Sequence, residues 1–427
     1  MILETHNSNL YFDGCDTIEL AKEYGTPLFV MSETAIVDKC QELKKDFLSQ
    51  YENTRVAYAA KAFLTTALCK ILEREGFCID VVSGGELYTC ISAGFPSEKI
   101  EFNGNNKSEE EISMAIDYQV GRIIVDNPAD YQVIQRIARE KQKKARILFR
   151  ITPEIKIDTH AHISTGQKDS KFGVPLNDSI FYPLIQAAIE SEYIEFLGFH
   201  FHLGSQIFDN QPYINATIKT LDLIEEVRKR YNYTIQELNV GGGFGIRYTE
   251  GDSPKPYSYF LEPVMKLIYE FFDSRDLKRP SVVIEPGRSF IGESGITLYT
   301  IGNIKEIPDV RTYVSVDGGM TDNIRPALYD AVYEGAIANK MNLERHKNVT
   351  ICGKCCESGD ILIKNLCVPN VERGDILTVF NTGAYCFSMS SNYNKNRLPA
   401  VVLTKEGKAR LIVKRQSYQD LIERELV

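Results

Sequence analysis

Residues 55–82 read RVAYAAKAFLTTALCKILEREGFCIDVV, and the fold is predicted from the pattern of this stretch. Residues 55–60 are an apolar, strand-like run, residues 64–75 have helical periodicity, and residues 78–82 are a second apolar run. Apolar runs without strict alternation are typical of strands that are buried on both faces. The stretch therefore predicts one strand–helix–strand unit of an α/β protein.

The same unit recurs before Arg288, where eight strands are predicted in total. They are residues 55–60, 78–82, 100–102, 122–125, 146–151, 196–201, 237–240 and 281–284. Helical patterns separate them, for example at residues 109–118, 129–141 and 212–231. Eight alternating units predict a (β/α)8 barrel of the TIM type, and a doubly wound parallel sheet stays open because it alternates in the same way.

The sequence changes in character after Arg288. Short strand-like runs separated by turn residues dominate, at residues 297–301, 312–316, 348–352, 361–363, 376–380, 400–404 and 409–413. This pattern predicts a C-terminal antiparallel β-sandwich or β-barrel domain over residues 289–427. Residues 1–28 are expected to join that domain, and residues 29–288 to form the barrel.

Composition excludes several functional classes. A net charge of -9 argues against a nucleic-acid partner and against binding to a membrane surface. The N-terminus lacks the features of a signal peptide, so a cytoplasmic location and reduced cysteines are expected. Cys352 and Cys355 form a CxxC, which redox and zinc sites also use. No second pair has zinc-site spacing, so no metal site is predicted.

Chemically distinctive residues follow the predicted strands, where a barrel enzyme gathers its catalytic groups. Lys61 follows the first strand, where apolar surroundings would make its amine nucleophilic, although such a lysine could also extend to solvent. Gly241, Gly242 and Gly243 follow the seventh strand. Their backbone N–H groups could approach a phosphate, or the run could simply form a tight turn.

Two further residues complete this set. His202 follows the sixth strand and could stack on a flat ring or be an ordinary core histidine. Glu285 follows the eighth strand, and burying it requires a cation such as Arg288 or a protonated pyridine nitrogen. Together these groups suit pyridoxal phosphate. The amine could bind its aldehyde, the glycines its phosphate, the imidazole its ring face and the carboxylate its protonated ring nitrogen.

With these motifs the chain resembles the diaminopimelate decarboxylases, a family of barrel-type (fold type III) pyridoxal-phosphate decarboxylases. The matching motifs are residues 59–62, 80–87, 163–166, 171–173, 200–206, 241–245, 285–288, 316–319, 325–329, 356–360, 383–385 and 392–394. The resemblance implies decarboxylation of meso-2,6-diaminopimelate to L-lysine and CO2, the last step of lysine biosynthesis. It also implies roles for individual residues.

For the cofactor, the resemblance implies that Lys61 binds the aldehyde covalently, that His202 stacks on the ring and that Glu285 keeps the ring nitrogen protonated. The residues implied to hold the cofactor are Lys61, Asp80, His202, Ser205, Gly241, Gly242, Gly243, Glu285, Gly287, Arg288 and Tyr385.

For the substrate, the resemblance implies that Arg288, Arg325 and Tyr329 bind the carboxylate of the non-reacting end and that Tyr385 also binds the substrate. Glu357 would bind the ammonium of that end. Arginine pairs bidentately with a carboxylate, so these residue types suit a substrate with an amino-acid group at each end.

The resemblance further implies that Cys356 donates the proton that replaces CO2, although the neighbouring Cys355 leaves the identity of that thiol open. It implies a homodimer in which Cys356 and Glu357 complete the active site of the other subunit. Three alternatives remain: a related decarboxylase acting on ornithine, arginine or a carboxylated polyamine, a racemase, and a non-catalytic pyridoxal-phosphate-binding protein.

Overall fold

The computed structural model describes residues 2–153, 155 and 170–427. The motif at residues 163–166 lies outside the described residues. The chain divides into two compact units, which we call the barrel unit and the β unit. The barrel unit comprises Cys40–Gly245 and Pro254–Gly287, and the β unit comprises Met1–Lys39, Ile246–Ser253 and Arg288–Val427. The domain bounds expected from the sequence stay a prediction, because compactness alone does not define a functional domain.

The described strands and helices are numbered in chain order. The strands are β1 Leu3–His6, β2 Asn9–Phe12, β3 Cys15–Asp16, β4 Leu28–Ser32, β5 Thr54–Ala59, β6 Cys78–Val81, β7 Ile100–Phe102, β8 Arg122–Val125, β9 Ala145–Arg150, β10 Ile194–His200, β11 Glu237–Asn239, β12 Ser281–Ile284, β13 Gly295–Ile307, β14 Arg311–Val316, β15 Gly335–Ile337, β16 Lys347–Cys352, β17 Ile361–Val368, β18 Ile376–Val379, β19 Ala400–Lys405 and β20 Lys408–Val413. The helices are α1 Thr17–Tyr24, α2 Glu33–Leu43, α3 Thr66–Glu75, α4 Gly84–Ser92, α5 Glu109–Tyr118, α6 Pro128–Glu140, α7 Asp178–Glu190, α8 Gln211–Tyr231, α9 Tyr257–Asp273, α10 Arg288–Ile291 and α11 Arg325–Tyr329.

Strands β5 to β12 of the barrel unit form a closed parallel barrel. Each strand pairs with the next one along the chain, and the barrel closes because β12 pairs with β5. All eight predicted strands are present, with ends that differ from the prediction by at most two residues. Closure confirms the barrel and excludes the open, doubly wound sheet.

The first strand–helix–strand unit shows why the sequence folds in this way. Its two strands, β5 and β6, are almost entirely buried, as their apolar runs predict. The Thr65 side chain caps α3 by accepting a hydrogen bond from the backbone N–H of Leu68 at 3.2 Å. Gly76 ends the helix in the left-handed conformation, with φ +85°. The chain then turns directly into β6.

The β unit contains a nine-stranded sheet within the described part of the chain. Its longest strand, β13, pairs with β4, β14 and β18, all antiparallel. The sheet is mixed, however, because β4 pairs with β19 in parallel and β14 pairs with β16 in parallel. The wholly antiparallel arrangement expected for the C-terminal domain therefore needs this correction. The parallel β4–β19 pair forms because an N-terminal strand enters the sheet.

The N-terminal residues of the β unit pack onto the same core. The Leu10 backbone N–H donates to the carbonyl of Ala338 at 2.7 Å, beside β15. Leu10 and Phe12 are buried in one cluster with Leu28, Leu298 and Val402. No helix among the described residues is both long enough and apolar enough to cross a membrane.

Candidate active site

Lys61 lies in a single-turn helix, Ala60–Ala62, directly after β5. The side chain is half-buried and forms no hydrogen bond or ion pair with a described residue. Its charge acts on Asp80, Glu285 and His202, which lie at the ends of other barrel strands. A lysine in this position has an amine available for a covalent bond to a carbonyl compound.

Glu285 is a buried carboxylate held by two side chains of neighbouring strands. It follows β12, is 4 % exposed, and accepts hydrogen bonds from Asn239 Nδ2 at 2.8 Å and from His200 Nε2 at 3.0 Å. Burial raises its pKa, but the interactions with His200 and the charge of Lys61 outweigh burial and lower the pKa of Glu285 to about 2. The carboxylate is therefore ionised, as a partner of a protonated pyridine nitrogen must be. Sequence reasoning missed both of these supporting residues.

Asp80, on β6, has the opposite electrostatic character. It is buried, and its Oδ1 accepts a hydrogen bond from Asn103 Nδ2 at 3.2 Å. Burial and then the charge of Glu285 raise the pKa of Asp80 well above its ordinary value. Its Oδ2 finds no hydrogen-bond partner among the described residues. Asp80 is thus a buried polar group with unused hydrogen-bonding capacity.

The glycine run follows β11 and packs closely against two other strand ends. Gly241 and Gly243 adopt φ of +70° and +109°. An added Cβ at Gly242 would lie 1.8 Å from the carbonyl oxygen of Glu285. The predicted tight turn is therefore real. The N–H of Gly241 donates to Asn239 Oδ1 at 2.9 Å and the N–H of Gly242 donates to His202 Nδ1 at 3.3 Å. The phosphate role of the run stays a prediction.

Two further predicted residues lie after β10. His202 is half-buried, and burial and then the charge of Lys61 lower its pKa well below the ordinary value. A neutral imidazole can stack on a cationic ring without repulsion. Ser205 is half-buried in the same strand–helix connection. After β12, the carbonyl of Pro286 accepts a hydrogen bond from the backbone N–H of Ala59 at 3.1 Å, and Gly287 packs on that end of β5.

These observations test whether the barrel unit fits pyridoxal phosphate. Lys61 has an unpaired amine, Glu285 is an ionised carboxylate, and His202 is a neutral imidazole. His200 Nδ1 and Asp80 Oδ2 are buried atoms without a hydrogen-bond partner among the described residues. The donor set is suited to an aldehyde and a pyridinium, so the residues fit the cofactor.

A second cluster lies within the β unit and is built around Arg288 and Arg325. Arg288 Nη1 donates to the Tyr248 hydroxyl at 2.8 Å, and its guanidinium lies 4.7 Å from the centre of the Tyr385 ring. Arg325 Nη1 donates to the Tyr333 hydroxyl, and its guanidinium lies 4.8 Å from the centre of the Tyr248 ring. Both arginines are less than one-tenth exposed.

Among the described residues, the charge of Arg325 has no carboxylate counterpart. No described carboxylate forms an ion pair with it, and its Nε atom is buried without a hydrogen-bond partner. Removing a charge from water without pairing it is costly, so the cluster suits an anionic ligand such as a carboxylate. Tyr248 and Tyr333 were not predicted. The predicted Tyr329 ends α11, is half-buried and forms no hydrogen bond with a described residue.

The predicted acid and its neighbours lie on a separate turn of the β unit. Cys356 is exposed, and its backbone N–H donates to Asn394 Oδ1 at 2.8 Å. Glu357 is also exposed, and its Oε1 accepts a hydrogen bond from the Gly359 N–H at 3.2 Å. No hydrogen bond joins either side chain to Arg325. The structure therefore brings the two arginines together with Tyr248, Tyr333 and Tyr385, and it shows no hydrogen bond from Cys356 or Glu357 to Arg325.

Comparison with known proteins gives a consistent result. The sequence of residues 34–292 matches the family described as pyridoxal-dependent decarboxylase, pyridoxal binding domain. The chain is 45% identical over 423 residues to the diaminopimelate decarboxylase of Bacillus subtilis, covering 99% of this chain and 96% of that protein. It is 48% identical over 408 residues to the diaminopimelate decarboxylase of Bacillus methanolicus, covering 96% and 94%.

The same holds for solved structures. The crystal structure of diaminopimelate decarboxylase from M. jannaschii in complex with L-lysine superposes with a TM-score of 0.93 at 36% identity. The superposition covers 100% of this chain and 98% of that one.

Proposed function

This chain belongs to the diaminopimelate decarboxylases, and on that premise we propose how its residues share the reaction. The reaction is the pyridoxal-phosphate-dependent decarboxylation of meso-2,6-diaminopimelate to L-lysine and CO2, the last step of lysine biosynthesis. When bound, the cofactor supplies a conjugated ring that accepts the electron pair of the breaking carbon–carboxylate bond. The observation that carries the proposal is the buried guanidinium of Arg325 without a carboxylate partner among the described residues.

The barrel unit would hold the cofactor. Lys61 would bind its aldehyde, because the amine is not engaged by any described residue. The neutral imidazole of His202 would lie on the ring face, and the ionised Glu285 would accept a hydrogen bond from the ring nitrogen. Ser205 and the backbone of the glycine run would bind the phosphate.

The arginine cluster of the β unit would bind the substrate's non-reacting end. Arg288 and Arg325 would pair with its carboxylate, while the hydroxyls of Tyr248 and Tyr333 hold the two guanidiniums in place. Ornithine, arginine and lysine have no carboxylate at that end, so they would leave a buried charge unpaired. Glu357 would bind the ammonium of the same end.

The Sγ–H of Cys356 would donate its proton to the carbon that loses CO2. Cys356 is exposed on its turn, whereas the neighbouring Cys355 is half-buried beside Asp360. Burial and then the charge of Asp360 raise the pKa of Cys355 to about 11. The exposed thiol is the one that a substrate can reach.

We propose a homodimer with shared active sites and a cytoplasmic location. Cys356 and Glu357 form no hydrogen bond with Arg325 of their own chain, which supports their acting in the site of a second copy. All ten cysteines are free thiols, which agrees with a reducing compartment.

The test is CO2 release by the purified protein with pyridoxal phosphate, comparing meso-diaminopimelate with L-ornithine, L-arginine and L-lysine. Release from meso-diaminopimelate alone, with L-lysine as the product, is the expected result. Release from one of the other amino acids would retain the cofactor site but contradict the role given to Arg325. An absence of release with all four compounds, with the cofactor bound, would indicate a non-catalytic binding protein.

A further inference from the structure

The interior of the barrel carries a network of charged and polar side chains below the candidate cofactor residues. Such interiors are usually filled by branched apolar side chains, so this network requires an explanation. Glu237 accepts two hydrogen bonds from Arg122 Nε, at 2.9 and 3.0 Å, and its Oε2 lies 2.6 Å from Arg55 Nη2. Glu101 is buried beside this group, and its Oε1 lies 3.7 Å from Arg55 Nη2. None of these residues has a role in the reaction described above.

Asn239, the last residue of β11, joins this network to the candidate site. It is fully buried, and its Nδ2 donates to Glu101 Oε2 at 2.9 Å and to Glu285 Oε1 at 2.8 Å. Its Oδ1 accepts a hydrogen bond from the backbone N–H of Gly241 at 2.9 Å. Both amide hydrogens and the amide oxygen are therefore used.

The orientation of this amide is fixed by its partners. A rotated Asn239 would place its oxygen against two carboxylates and its NH2 group against the N–H of Gly241, losing all three bonds. One side chain thus ties Glu285, at the end of β12, to the first residue of the glycine run. His200 binds the other oxygen of Glu285, and its Nδ1 has no hydrogen-bond partner among the described residues, so it does not join Glu285 to the glycines.

We propose that Asn239 is a positioning residue that sets the placement of the Glu285 carboxylate relative to the backbone N–H groups of the glycine run. This inference rests on the proposed function, in which Glu285 binds the ring nitrogen and the glycines bind the phosphate of one rigid cofactor. A fixed separation between these two groups matches the fixed separation between the two ends of that cofactor. Without the amide, the Glu285 carboxylate would keep one hydrogen-bond donor among the described residues, His200.

Asn239 also separates two buried carboxylates. Its two N–H groups bond Glu101 and Glu285, and the charge of Glu285 is one of the influences that raise the pKa of Glu101. The other titratable or charged groups that act on Glu285 or lie close to it are Lys61, Asp80, Arg150, His200 and His202. Removal of the amide would therefore change how Glu285 responds to pH.

Two variants distinguish the hydrogen bonds that Asn239 donates from the one that it accepts. Asn239→Leu has a similar volume but loses all three hydrogen bonds. Asn239→Asp retains an oxygen for the N–H of Gly241 but must gain a proton before it can donate to Glu285. Cofactor affinity, kcat and KM for meso-diaminopimelate, and the pH dependence of the bound cofactor's absorbance would be measured on the purified holoenzymes. Thr220→Val is the matched control, because it removes a buried hydroxyl of α8 whose partner among the described residues is the carbonyl of Ala216.

For Asn239→Leu we expect weaker cofactor binding, kcat lower by ~10- to 100-fold as for the loss of a hydrogen bond to a charged group, and a shifted pH dependence of the absorbance. For Asn239→Asp we expect cofactor affinity within ~3-fold of the parent, because the contact with Gly241 is kept, and a rate that falls as pH rises. Thr220→Val should keep the parent's kcat and absorbance profile.

An Asn239→Leu enzyme with the parent's cofactor affinity and pH profile would overturn the proposal, even if its kcat were reduced by general destabilisation. If that variant does not fold, Asn239→Asp decides, and a rate with the parent's pH dependence would count against the role of Asn239. The parent's own release of CO2 from meso-diaminopimelate tests the proposed function separately, so the two ideas can fail independently.

Discussion

Asp360 accepts, through Oδ2, a hydrogen bond from the backbone N–H of Cys355 at 2.8 Å, and this contact distinguishes two adjacent thiols. Cys355 Sγ lies 3.6 Å from Asn396 Nδ2 and is half-buried, whereas Cys356 is exposed. A negative charge beside a partly buried thiol makes that thiol a poor acid. The sequence alone did not decide which of the two cysteines donates the proton, and this geometry favours Cys356 as the donor.

The first prediction follows from this difference. Cys356→Ala should lower kcat by ~10²- to 10⁴-fold, as expected for the loss of a positioned general acid, without changing cofactor affinity. Cys355→Ala is the matched control and should keep kcat within ~3-fold, since it removes a thiol held beside a carboxylate. Steady-state kinetics of both variants would show this, and a larger loss in Cys355→Ala would reverse the assignment.

The second prediction concerns Lys61. Lys61→Ala should bind pyridoxal phosphate without the absorbance of the covalently attached cofactor and should release no CO2, because no other described amine takes its position after β5. Lys70→Ala, a change at an exposed lysine of α3, should leave the spectrum and the rate unchanged. A parent-like spectrum in Lys61→Ala would show that the cofactor is attached elsewhere.

The third prediction concerns the unpaired guanidinium of Arg325. Arg325→Met should lower kcat/KM for meso-diaminopimelate by ~10²- to 10³-fold, because it removes a bidentate, buried partner of the distal carboxylate. Arg373→Met, at an exposed arginine of the same unit, is the control. If Arg325→Met retained the parent's discrimination between meso-diaminopimelate and L-lysine, another residue would have to recognise the distal carboxylate.

The fourth prediction concerns Glu101 and the pH dependence of stability. Burial and then the charge of Glu237 raise the pKa of Glu101 from 4.5 to about 8. Between these values the folded protein keeps the proton that the unfolded chain releases, so this group's contribution to stability is full below 4.5 and falls as pH rises to about 8. In Glu101→Gln this fall should be absent.

The measurement is the difference in Tm between Glu101→Gln and the parent at several pH values from 4.5 to 8. The difference should move in favour of the variant as pH rises, with a slope in free energy of up to about 1.4 kcal/mol per pH unit for one proton. Glu110→Gln, at an exposed residue of α5, should give a constant difference. A constant difference for Glu101→Gln as well would show that Glu101 is ionised in the folded protein.

The fifth prediction tests the shared active site. Lys61→Ala should be inactive and Cys356→Ala should keep at most ~1% of the parent's rate. A mixture of the two, unfolded and refolded together, should regain about a quarter of the parent's activity. Half of the randomly formed dimers are mixed, and one of the two sites in each mixed dimer is intact. No recovery in a mixture shown to contain mixed dimers would place Lys61 and Cys356 in the same chain's site.

The sequence predicted the barrel well because β5 to β12 are buried on both faces and therefore appear as continuous apolar runs. Lys61 and Glu285 were recognised because a charged residue directly after such a run is conspicuous. Their supporting residues were not recognised, since Asn239 and His200 meet Glu285 only when β10, β11 and β12 lie side by side in the barrel. Their contacts depend on strand register, which local sequence does not contain.

The contacts of the arginine cluster could not be predicted from local sequence either. Residues 325 and 329 are four apart on α11, so a helix predicts that their side chains share one face. The structure instead brings Tyr333, beyond the end of that helix, to Arg325. The chain reverses at Asp330, whose φ of +51° ends α11, and no periodic pattern marks this turn. The parallel pairing of β4 with β19 could not be predicted from local sequence either, because it joins residues from opposite ends of the chain.

The close packing of the glycine run also bears on redesign of the enzyme. Any side chain at Gly242 would collide with the carbonyl of Glu285, so directed evolution has almost no permitted substitutions at this turn. The arginine–tyrosine cluster has no such backbone restriction, since its contacts are made by side chains. A mutant library aimed at new substrates would therefore vary Tyr248, Arg325 and Tyr333 and leave the barrel residues unchanged.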